Sequence, residues 1–167
     1  EAACPYNKSL TSAQYPGAVS AYPKKTDAEI EAAVQGGNIV FVDEFGATKV
    51  CKDINTLTSF TVEKHAEYSK NRVIRTLFTL ENDMYKNFAQ YYIGKTDNNA
   101  TGRALFKAWV VGYCSEMEAN SGIQQFNPDD VTVSPGNTSD SIVVDVSIMP
   151  VDSVEIVYAT VNLREIA

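Results

Sequence analysis

Between residues 69 and 92, apolar side chains recur at Ile74, Leu77, Phe78, Met84, Tyr85, Phe88 and Tyr91, interrupted by Glu81. That spacing predicts one long amphipathic helix, roughly 35 Å from end to end at 1.5 Å per residue, long enough to cross a whole domain. Gly94 marks its end and residues 95–100 form a polar loop. Leu105, Phe106, Trp109, Val110, Tyr113 and Met117 then repeat the pattern until Ser121 and Gly122. Two long helices joined by a short loop form an αα-hairpin.

The rest of the chain reads as extended or β. Residues 1–25 carry Pro5, Pro16 and Pro23 among Ser, Tyr and Gly, an extended lead-in rather than a helix. Thr26 caps a short helix that starts with Asp27 and Glu29 and stops at Gly36 and Gly37, acids and glycines at the ends that the helix dipole favours. Residues 38–44 and 47–53 flank Phe45-Gly46 as a hairpin. Further on, residues 130–134, a turn at Pro135-Gly136-Asn137, residues 141–149 and residues 154–163 read as strands. In the third of these runs Ile142, Val144, Val146 and Ile148 share one phase, as in a strand with one buried face. The last run is apolar on both faces: Val154, Ile156 and Tyr158 on one, Val157, Ala159, Val161 and Leu163 on the other. Such a strand is either central and covered on both sides, or donated to the sheet of another copy by β-augmentation.

The expected architecture is α+β: two long helices packed on a mixed or antiparallel β-sheet, with extended terminal arms. Its parts are a lead-in (1–25), a core (26–152) and a C-terminal strand or arm (153–167).

At 167 residues, 44% hydrophobic and 21% charged, the chain is sized and composed for one domain with a core. The net charge of −7 argues against a nucleic-acid binder. By segment the charge is uneven: five basic and eight acidic residues over 1–63, eight and four over 64–107, one and nine over 108–167. A basic middle between acidic flanks suits steering between copies or onto a charged partner. The basic block is Lys64, Lys70, Arg72, Arg75, Lys86, Lys95, Arg103 and Lys107.

Signatures of chemistry are sparse. Cys4, Cys51 and Cys114 are odd in number and widely spaced, which argues against a disulfide framework or a zinc knuckle. The single histidine, His65, excludes multi-histidine metal sites and triads, and a Cys51–His65 hydrolase dyad has no nucleophile motif around it. Asp43-Glu44 and Asp129-Asp130 are adjacent pairs, which point to opposite faces of a strand and lack calcium-loop spacing. No glycine-rich loop links a strand to a helix, so no phosphate cradle is expected. No run reaches the ~18 apolar residues of a membrane span. The first residue is Glu1, so the chain reads as a piece of a longer polypeptide.

One resemblance covers nearly the whole chain in order. It runs from Asn7-Lys8-Ser9-Leu10-Thr11 and Tyr15-Pro16-Gly17-Ala18 to Asp53-Ile54-Asn55-Thr56-Leu57-Thr58-Ser59-Phe60-Thr61, then through Glu63-Lys64 to Ser69-Lys70-Asn71-Arg72-Val73-Ile74-Arg75-Thr76-Leu77. Tyr92-Ile93-Gly94-Lys95, Gly102-Arg103-Ala104-Leu105-Phe106-Lys107, Ile123-Gln124, Phe126-Asn127-Pro128-Asp129-Asp130-Val131-Thr132-Val133 and Pro150-Val151-Asp152 follow. Together they resemble the C-terminal domain of contractile tail sheath proteins, from phage tails and phage-tail-like bacteriocins.

That resemblance implies a structural, non-enzymatic protein without cofactors. Its partners would be further copies of itself, in stacked hexameric rings, and the tail tube protein, with no nucleic acid and no membrane insertion. It implies a place in a virion or phage-tail-like particle assembled in the bacterial host cytoplasm, where contraction of a metastable sheath drives the tube through an envelope. Terminal arms would add strands to neighbouring sheets. The donated strand would use Val154, Ile156, Tyr158, Val161 and Leu163, the accepting edge Ile142, Val144, Val146 and Ile148, and the basic block would meet the tube or an acidic neighbour. The outer domains and N-terminal arm of the family are not among these residues. A monomeric module that captures an unrelated peptide by β-augmentation is the alternative.

Overall fold

The computed structural model describes residues 4–163. Its first helix, α1 (Asp27–Gln35), opens as the sequence predicts with a capping box: Glu29 N donates to Thr26 Oγ1 (3.4 Å) and Thr26 N to Glu29 Oε2 (2.8 Å). Strands β1 (Phe41–Glu44) and β2 (Ala47–Val50) pair antiparallel, with Phe41 opposite Val50 and Glu44 opposite Ala47. Phe45 and Gly46 at the tip both have positive φ, 50° and 79°, as a two-residue hairpin turn requires. The lead-in does not hang free. Ser12 N bonds Val50 O (2.8 Å), Val50 N bonds Ala13 O (2.9 Å) and Tyr15 N bonds Thr48 O (2.8 Å), so after a turn at Ser12 residues 13–15 lie along β2.

The two predicted long helices are α2 (Asn71–Tyr91) and α3 (Ala100–Ala119). Asn99 caps α3 by accepting from Gly102 N (2.9 Å). A Cβ on Gly102 would stand 2.1 Å from Asp97 O, so only glycine lets the interhelical loop fold back this tightly. Along α3, Phe106, Val110, Cys114 and Met117 form a fully buried face, and with Leu80 of α2, Ile123 and Val131 they make the core.

Beyond α3 come β3 (Ile123–Gln124), β4 (Val131–Pro135), β5 (Ile142–Val146) and β6 (Met149–Pro150). The expected single sheet is instead three antiparallel pairs among the described residues: β1–β2, β3–β6 and β4–β5. The predicted strand over 141–149 is correspondingly broken. Val146 pairs with Val131, the first residue of β4, which is preceded by a 3-10 turn (Pro128–Asp130) capped by Asn127. Past Val146 the chain has no partner on β4, so Ser147 N bonds Asp130 O (3.0 Å) and the chain crosses to pair Met149 and Pro150 with Gln124 and Ile123.

Residues 154–163 join no ladder among the described residues. The reading as a central strand covered on both faces is therefore not what the single chain adopts: Val154, Ile156, Val157, Tyr158, Val161 and Leu163 are 65–96% exposed.

Candidate assembly surfaces

Helix α2 begins with an electrostatic problem. Its positive dipole end carries Lys70 at the cap and Arg72 and Arg75 in the first turns, with no acid there. Carboxylates from elsewhere supply the missing charge. Asp53, 2% exposed, accepts from Arg75 Nη2 (2.6 Å) and Leu10 N (2.9 Å) through Oδ2, and from Asn71 Nδ2 (2.9 Å) through Oδ1. Burial alone would raise its pKa, but the Arg75 guanidinium and the Leu10 and Asn71 donors outweigh it and hold the carboxyl below the usual range. Glu155 pairs with Lys70 through Oε2, with Lys52 at 3.8 Å, and Asp152 lies 3.2 Å from Lys70. Lys70 is pulled down by burial and pushed up more strongly by these two carboxylates, a net rise.

The basic block is thus divided. Lys70, Arg72 and Arg75 bind their own chain, Arg72 by donating to Ser121 O (3.0 Å) and Arg75 also to Lys8 O (2.9 Å). Lys95 donates to Gln90 O (2.5 Å) and Arg103 to Asn98 Oδ1 (2.9 Å), each fastening the interhelical loop. Lys64 and Lys86 are exposed, and Lys107 is half-buried. Residue counting alone missed Asp53, Asp152 and Glu155. The available signal was Glu155 itself, the one charge between Ser153 and Leu163 in an apolar run.

Further along, α2 and β5 border an open apolar groove of about 410 Å³, walled by Leu77, Met84 and Phe88 and by Ile142, Val144 and Val146. These three β5 side chains pack toward the core, while Val143 and Asp145 face outward, so β5 has one dry face. Ile148 lies beyond the end of β5, in the crossing to β6. Only one edge of β5 is paired among the described residues, with β4. Phe78 and Tyr85, seven residues apart on α2, are exposed.

An exposed two-faced segment and an unpaired strand edge therefore occur in the same molecule. The five named donor residues do not share a face if the segment is extended: Val154, Ile156 and Tyr158 fall in one phase, Val161 and Leu163 in the other. From residue 157 on, only the second phase is apolar throughout, as Val157, Ala159, Val161 and Leu163, whereas the first continues into Thr160 and Asn162.

Little here suits nucleophilic chemistry. Burial, then Glu44, pushes the Cys51 thiol up, away from the thiolate. Burial raises Cys114 to about 11, as for a core thiol. His65 is exposed and precedes a 3-10 turn (Ala66–Ser69). Among the described residues no three His, Cys, Asp or Glu are grouped to hold a metal, and no helix is long and apolar enough to cross a membrane.

Residues 63–164 match the family model for the phage tail sheath C-terminal domain. The fold superposes with a TM-score of 0.82 on the sheath tail protein of Desulfitobacterium hafniense, 36% identical, over 90% of this chain and 35% of that one. The sheath tail protein of Listeria innocua gives 0.82 at 30% identity, over 92% of this chain and 37% of that one. The tail sheath protein of Clostridium phage phiCD119 is 27% identical over 116 residues, 70% of this chain and 32% of the relative. The chain spans about a third of the length of the relatives it matches. With the family match covering more than half of its residues, the chain belongs to the phage tail sheath proteins, as their C-terminal domain.

Proposed function

We propose that this chain is the self-assembling part of a contractile tail sheath, which polymerises as stacked hexameric rings around a tail tube and shortens to drive the tube through a target envelope. The work is structural. It needs no bound cofactor and no bond-making step, only copies of the chain held in a mesh that stays connected while it changes length.

The observation that carries this reading is the pairing of an unfilled edge with an unplaced strand. Residues 156–163 contain no charge, are rich in β-formers and stand in solvent. In another copy, β5 leaves one edge unpaired among the described residues, beside an apolar groove. Docking there satisfies the backbone of the arm through ladder hydrogen bonds, and each buried Val or Leu adds about 1.5–3 kcal/mol. Because donor and acceptor sit at different places on one molecule, the contact is heterologous and propagates instead of closing a dimer. Lys64, Lys86 and Lys107 supply positive charge for the tube or for the acidic 108–167 region of a neighbour.

Deleting residues 156–167 from the longer sheath protein tests this reading. The expected outcome is loss of sheath tubes in electron micrographs with an unchanged helical circular-dichroism signal. Normal tubes from the deletion variant would overturn strand exchange as the link between copies.

A further inference from the structure

Both terminal segments of the chain meet at one carboxylate. Glu155 Oε1 accepts from Thr11 Oγ1 of the lead-in (2.8 Å), while Oε2 faces Lys70 at the start of α2 and Lys52 at 3.8 Å. Thr11 is itself fixed, because its Oγ1 accepts from Asp53 N (2.9 Å). Glu155 has only 9% of its side chain exposed, although its neighbours Val154 and Ile156 are open to solvent. A carboxylate so nearly desolvated between exposed apolar residues is held in place by its partners.

We propose that Glu155 is a positioning residue: it roots the C-terminal arm on the N-terminal end of α2 and ties that root to the lead-in, so that displacement of the arm reaches the lead-in through one side chain. Among the described residues the last backbone–backbone hydrogen bond is Val151 N to Gly122 O (3.0 Å). Beyond it, the attachment consists of the Lys70 contacts to Asp152 and Glu155, the Lys52 pair and the Thr11 bond. With Glu155 engaged, the described free arm is Ile156 to Leu163, about 26 Å when extended. Without it, residues 152–155 join the arm and add roughly 13 Å. The clasp therefore fixes how far away an accepting β5 edge can lie. The use made of that distance rests on the sheath reading above; the clasp itself does not.

Nitrogen-15 relaxation on this chain tests it directly, since backbone order parameters separate rigid residues, about 0.85, from flexible ones, below about 0.6. In the wild type, order should fall from residue 156 onward. Glu155→Ala should move that boundary back to about residue 152 and shift the resonances of residues 11–13 and of the first turn of α2, with the rest of α2 and all of α3 unchanged. Lys70→Met should move the boundary in the same direction and serves if Glu155→Ala fails to fold. Thr11→Val should leave the boundary in place but remove the response of residues 12 and 13 to Glu155→Ala. A boundary at 156 in all variants, or at 152 already in the wild type, would overturn the clasp. If the boundary moves as expected while the arm-deleted sheath still assembles, the clasp stands and strand exchange fails. A fixed boundary with lost assembly rejects the clasp alone.

Discussion

Asp53 shows how much a single residue can hold together. It joins the lead-in at Leu10, the start of α2 at Asn71 and the second turn at Arg75, all through one buried carboxylate. Removing an acceptor from a buried charge pair costs more than the pair contributes over an apolar substitute, because its partners lose their compensation. Asp53→Ala should therefore lower stability by about 3 kcal/mol, read from the urea midpoint. The pH dependence follows from the direction of its shift. A carboxyl held below its unfolded value, near ~3.9, stabilises the fold above that value and loses this contribution as pH falls through the folded value. Acidification below pH ~4 should thus lower the urea midpoint of the wild type more steeply than that of Asp53→Asn. None of this was legible beforehand, since Asp53 lies in a polar run without periodicity and its partners come from positions 10, 71 and 75.

Among the elements, the long helices, the capped α1 and the hairpin around Phe45-Gly46 were all readable, because each is specified by spacing and end residues within its own span. The β elements after α3 were not. Alternation at Ile142, Val144 and Val146 correctly marked the inward face, but the same phase continues through Ile148 although the ladder does not. Strand length depends on the partner, and here β4 starts only at Val131. Helix α2 has the complementary difference: Phe78 and Tyr85 belong to its apolar stripe yet remain exposed in the single chain. A stripe wider than its own chain covers suits an added layer at that face. If the arm of another copy lies on β5, its uniformly apolar phase should face the groove. Val161→Asp in the longer protein should then abolish assembly, as scored by sedimentation of polymer, whereas Thr160→Asp should reduce it less than threefold. Equal loss in both variants, or the reverse order, would assign the wrong face.

For the whole molecule, the charge segregation of the sequence changes meaning once folded. Lys70 and Arg75 pair with carboxylates of their own chain and Arg72 donates to a backbone carbonyl, so the basic block is not one continuous patch. Lys64 and Lys86 are exposed and free to act in steering, which affects association rate and its salt dependence more than final stability. Reversing both, Lys64→Glu with Lys86→Glu, should slow polymerisation of the longer protein several-fold at low salt, measured by light scattering. The effect should shrink as ionic strength rises. By itself the sequence determined the helices, the Thr26 cap of α1, the hairpin and, through an ordered run of matching segments, the family. Those features are local, set by backbone propensity and periodicity within a few residues of each other. Only the tertiary structure decided which cations meet which carboxylates, where β5 stops, and that residues 156–163 join no ladder among the described residues. Ion pairs and strand ladders join residues far apart in the chain, so they exist only once the folded elements bring those residues together.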